Sequence, residues 1–72
     1  MEIYSINIDG TKYKQYKTYT DALVDMDMLI KTNTNSTIKI FLEEFCDYGH
    51  LETCCKLDML CEYKNLILKK FI

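Results

Sequence analysis

The chain has 72 residues, 49% apolar and 28% charged, and carries a net charge of −2 from nine Lys, no Arg and eleven acidic residues. This length holds one domain with a marginal core, and the composition is too apolar for a disordered segment. A small acidic excess without Arg argues against a dedicated nucleic-acid binder, yet falls short of imitating a duplex by bulk charge.

Met1-Glu2-Ile3 opens without a basic n-region or an apolar h-region, and no apolar run approaches the roughly 20 residues of a bilayer span. No secretory signal or membrane contact is therefore expected, and the four Cys are read as reduced thiols in the cytoplasm. Residues 3 to 8 alternate, with Tyr4, Ile6 and Ile8 on one side and Ser5 and Asn7 on the other. Asp9-Gly10 then suits a tight type I′ turn, because Gly accepts positive φ. A return strand over residues 11 to 17 pairs Ile8 with Thr11, and therefore Ile6 with Tyr13 and Tyr4 with Gln15. On that register Tyr13 points into the core, while Lys12, Lys14 and Tyr16 face away from it.

The run from Lys12 to Tyr19 interleaves cations with aromatics, as single-strand binders do. A solvated edge strand whose lysines deter edge-to-edge pairing is the simpler account. Thr18-Tyr19-Thr20-Asp21 forms a capping box, with Asp replacing the usual Glu or Gln. Ala22, Leu23, Met26, Leu29 and Ile30 then share one helical face, with Asp25 and Lys31 away from it. The polar run Thr32 to Ser36 ends the helix by competing for backbone hydrogen bonds.

Thr37 to Phe45 returns to strand periodicity, with Ile38, Ile40 and Leu42 inward, and Cys46 to His50 forms a hairpin loop around Gly49. Leu51, Thr53, Cys55 and Leu57 alternate with Glu52, Cys54, Lys56 and Asp58. From Leu57 the period becomes helical. Leu57, Leu60, Cys61, Ile67, Leu68, Phe71 and Ile72 form a stripe opposite Asp58, Glu62, Asn65 and Lys69. Lys64 interrupts this stripe, and Leu66-Ile67-Leu68 fits a short strand as the alternative.

Cys46, His50, Cys54, Cys55 and Cys61 lack the close C-x₂-C pairing of zinc sites. On a strand Cys54 and Cys55 diverge, and Cys55 and Cys61 suit a core. The lone His50, the carboxylates Glu43, Glu44 and Asp47, and two glycines build neither a catalytic constellation nor a phosphate loop. No enzyme activity, metal or cofactor is expected.

These elements predict an α+β fold of order ββαββα, with a hairpin–helix half at 1–33 and another at 36–72. Four mostly antiparallel strands would carry two helices packed on one face. The helix-free face would present Ile3, Ser5, Lys14, Tyr16, Lys39, Phe41, Cys54 and Lys56. Half of that set is apolar or aromatic, as at protein interfaces. The sequence thus points to a small interaction module that binds and blocks a protein partner. Ile3, Tyr16 and Phe41 would anchor the contact and Lys14, Lys39 and Lys56 would steer it, with a homodimer as the alternative cover. Lys-only basicity, eight Ile, six Tyr and no Pro suit AT-rich codons. Small size and that composition extend the expectation to a phage or mobile-element anti-defence inhibitor of the anti-CRISPR kind, acting on a host protein. The rival function is weak single-stranded nucleic-acid binding through Lys12, Lys14, Lys17 and Tyr16.

Overall fold

A computed structural model describes the backbone of residues 2–48 and 51–71, and their side chains outside 46–48 and 51–55. The chain order is β1 (Glu2–Ile8), β2 (Thr11–Tyr16), α1 (Tyr19–Thr32), β3 (Ile38–Tyr48), β4 (Leu51–Lys64) and β5 (Ile67–Lys70). All five strands join one antiparallel sheet of order β2-β1-β3-β4-β5. Helix α1 lies against β1, β2 and β3 on one face. The expected four strands with two helices are corrected to five strands with one helix among the described residues.

The first hairpin turns where the sequence places it, with Asp9 at φ 51° and Gly10 at φ 84°. Ile8 faces Thr11 and Asn7 faces Lys12, as expected, but the register then slips. Lys14 lies opposite Ile6 and Tyr16 opposite Tyr4, so Tyr13 is the extra residue of a bulge. One such residue reverses the face of everything beyond it. The helix decides this phase. Tyr16 donates a hydrogen bond to Asp25 Oδ2 at 2.7 Å, and an unbroken register would instead turn the Gln15 amide toward α1.

Helix α1 forms as its pattern predicts. Thr18 Oγ1 accepts from the Asp21 N–H at 3.2 Å, and Ala22 and Met26 are buried beside the half-buried Leu23, Leu29 and Ile30. The polar run closes the helix from its side chains: Asn33 Nδ2 donates to Leu29 O at 3.1 Å and Thr34 Oγ1 to Ile30 O at 3.3 Å. These bonds satisfy carbonyls that a helix end leaves orphaned.

The second half departs most from expectation. Residues 57 to 64 continue β4 rather than starting a helix. Cys61 lies opposite Ile40 while Met59 lies opposite Phe41, so Leu60 is again an extra residue. That bulge turns the neighbours Leu60 and Cys61 inward together, as on a helical stripe, whereas Leu57 lies on the opposite face and is exposed. Pairing with β3 buries Leu60, Cys61 and Tyr63. Asn65 at φ 54° and Leu66 at φ 65° then reverse the chain into β5. The short-strand alternative therefore holds for Ile67 and Leu68, although the strand runs on to Lys70 and Leu66 lies in the turn.

The core gathers Ile6, Tyr16, Ala22, Met26, Ile38, Ile40, Leu60, Cys61 and Tyr63. Each fully buried Ile contributes about 1.5–3 kcal/mol. Cys61 is the buried core thiol its sequence context suggests, though it arrives on a strand. β3 runs to Tyr48, so residues 46–48 of the loop expected at 46–50 are strand; Gly49 and His50, and the side chains of Cys46, Leu51, Cys54 and Cys55, lie outside the described residues.

Candidate interaction surface

The face away from α1 is where the sequence analysis places its contact residues. Strand pairing sets three rows across it. Ile3, Glu43 and Leu57 form the first; Gln15, Ser5, Phe41 and Met59 the second; Lys12, Asn7, Lys39, Glu62 and Lys69 the third. Ile3, Lys39 and Phe41 therefore share this face as expected. Lys14 and Tyr16 do not, because the Tyr13 bulge moves both to the helix side. Lys56 lies opposite Glu44, in phase with Leu42 and Tyr4, and so also leaves the proposed face.

The protein covers much of this face with its own side chains. Lys12 crosses β1 diagonally to Glu43, its Nζ 3.0 Å from Oε1 and 3.3 Å from Oε2. Gln15 Nε2 approaches the same carboxylate at 3.5 Å, and Lys39 pairs with Glu62 at 3.8 Å. Beneath the Lys12–Glu43 bridge Ser5 is buried, and its Oγ has no hydrogen-bond partner among the described residues. Ile3 and Phe41 are half-buried rather than presented as a free aromatic plate. The four residues of the nucleic-acid alternative are likewise not assembled into one groove. Tyr16 is 8% exposed and bonded to Asp25, Lys12 is held by Glu43, and Lys14 sits over the Tyr16 ring at 5.6 Å.

On the helix side, Tyr4 stacks on Tyr19 with centroids 5.8 Å apart. The Tyr19 hydroxyl lies 2.8 Å from Cys61 Sγ. Burial first, and the bond to Cys61 second, push the Tyr19 phenol up to about 12. Burial, reinforced by the hydrogen bond to Asp25, also raises Tyr16 well above the usual phenol range. A phenol acting as base or nucleophile needs the opposite shift. Both are packing groups with a satisfied polar tip.

Free apolar surface is concentrated elsewhere. Leu66 is 66% exposed, Ile67 56%, Leu68 44% and Phe71 52%, all within six consecutive positions around β5. Lys64, Lys69 and Lys70 flank them, and none has a carboxylate within 4.0 Å among the described residues. Residues 63–72 hold these three Lys and no acid, whereas six Lys against eleven acids leave the rest of the chain at −5.

Between α1 and β5 runs a groove of about 90 Å³ lined by Leu23, Met26, Asp27, Ile30, Leu68 and Lys70. Organic ligands usually occupy roughly 300–1,000 Å³, so this groove suits an inserted side chain. Sequence reasoning assigned these residues to an amphipathic helix and so missed them as a surface. The available signal was the apolar triad Leu66-Ile67-Leu68 bracketed by lysines, in the stretch after Glu62 that holds no acid. Compared with protein-family models, with curated proteins and with solved structures, the chain matches none.

Proposed function

We propose that the chain is a protein-interaction module whose contact surface is the β4–β5 end rather than the centre of the helix-free face. One observation carries the reading: four large apolar side chains stand exposed between Leu66 and Phe71, beside lysines with no carboxylate within 4.0 Å among the described residues. Scattered exposed apolar residues need no explanation, but four within six consecutive positions, spread over both faces of an edge strand, are a concentration expected of association sites. Small size and AT-rich composition extend the reading to a blocking role against a host protein. The captured partner should then lose activity when the chain is added.

The double variant Ile67→Ser/Phe71→Ser tests this surface, with Met28→Ala, exposed on the helix, as control. Affinity capture from the native cell should lose the co-eluting protein with the double variant and retain it with the control. Thermal stability should stay near that of the parent, because both replaced residues are exposed. Retention of the partner by the double variant would overturn the proposal.

A further inference from the structure

We propose that β5 is an acceptor edge, to which an extended partner segment of alternating apolar and acidic residues adds as a sixth strand. This rests on the interaction reading above and names the chemistry of the partner. The two edges of the sheet are unequal. β2 is broken by the Tyr13 bulge and carries Lys12 and Lys14, devices that discourage strand addition. β5 pairs with β4 in unbroken register from Lys64–Ile67 to Cys61–Lys70, and among the described residues no strand pairs with its outer side.

The backbone shows which groups are available. The Phe71 N–H donates to Leu60 O at 2.8 Å, which makes Cys61–Lys70 a wide, non-hydrogen-bonded pair. Alternation then turns the N–H and C=O of both Leu68 and Lys70 outward. A partner strand satisfies those groups; a lipid surface cannot, because hydrocarbon offers no hydrogen bonds.

Charge selects among strands. Lys64, Lys69 and Lys70 lie in an acid-free stretch, so a second copy of β5 would bring six cations together. An acidic strand is attracted instead. Asp27, paired with Lys31 at 3.5 Å, is the carboxylate that lines the groove on the helix side. Of the partner's alternating side chains, the apolar set would enter the groove beside Leu23, Ile30 and Leu68, and the acidic set would lie over the opposite face beside Lys64 and Lys69. This is strand addition, in which backbone bonds supply affinity and alternate side chains supply specificity.

The test uses the full chain and a synthetic peptide alternating Val with Glu, followed by calorimetry and amide hydrogen exchange. Binding should weaken as salt rises, with the Leu68 and Lys70 amides gaining protection. A version N-methylated along one edge should bind roughly tenfold more weakly or worse, and so should the variant K64Q/K69Q/K70Q. Absence of binding, equal binding of a Val–Lys peptide or of the N-methylated one, or protection on β2 would overturn the acceptor edge. Binding to phosphatidylglycerol vesicles that the acidic peptide does not displace would do the same. Should the Val–Glu peptide fail while Ile67→Ser/Phe71→Ser still abolishes capture of the native partner, the interaction reading stands and only strand addition falls.

Discussion

Leu66 occupies a position that most sequences give to Gly or Asn. Its φ of 65°, beside Asn65 at 54°, is the backbone of a two-residue turn between β4 and β5. A Leu there carries a steric cost of about 1–2 kcal/mol, and its side chain is too exposed to recover much of it. Leu66→Gly is therefore expected to raise stability by about 0.5–1 kcal/mol in urea unfolding, after the added chain entropy of Gly is counted. It should also weaken partner capture; a loss of stability would instead mean that Leu66 packs against the fold.

The two buried phenols set a second expectation. In the unfolded chain both titrate near 10, whereas in the fold both hold their protons to higher pH, Tyr19 to about 12. Their contribution is complete below pH ~10 and is lost as pH rises through the folded values, since the unfolded state then binds fewer protons. The melting temperature should fall from about pH 10 upward, in step with phenolate absorbance. Tyr16→Phe should lose about 1–2 kcal/mol at neutral pH through the missing bond to Asp25, and should show a shallower alkaline decline. A melting temperature that stays flat across this range would refute the assignment.

Among the elements, the bulge at Tyr13 has the widest consequences. It sets Tyr16 under α1 and turns Gln15 to the opposite face, toward the Glu43 carboxylate that Lys12, which precedes the bulge, already bridges. Deleting Tyr13 removes the extra residue and leaves Lys14, Gln15 and Tyr16 opposite Ile6, Ser5 and Tyr4, so Tyr16 should keep its bond to Asp25. The expected change is within about 1 kcal/mol, because the buried contacts of β2 are retained and Tyr13 is an exposed residue. Chemical denaturation measures it; a loss of more than about 2 kcal/mol would show that Tyr16 had left α1. The same device at Leu60 explains why residues 57 to 64 resemble a helix in sequence. Where no bulge intervenes, as in residues 3 to 12 and in α1 with its Thr18 cap, local pattern and structure agree.

At the scale of the molecule, one helix covers β1, β2 and β3, while β4 and β5 keep a partly open flank beside the groove at Leu23, Ile30 and Leu68. A second helix would have roofed that flank, and its replacement by a hairpin leaves Leu66 to Phe71 exposed. Of the residues expected to make contact, Ile3, Lys39 and Phe41 remain on the helix-free face, whereas Lys14, Tyr16 and Lys56 do not. The sequence alone determined the elements whose signal is local: the Asp9-Gly10 turn, the capped amphipathic helix and its polar stop, and the strand character of β1 and β3. Tertiary structure alone decided the phase of β2 and the nature of the C-terminal quarter. The reason is physical: inserting one residue into a strand reverses every later side chain, and the energy that selects it comes from distant partners such as Asp25 and Ile40, which a local pattern does not encode.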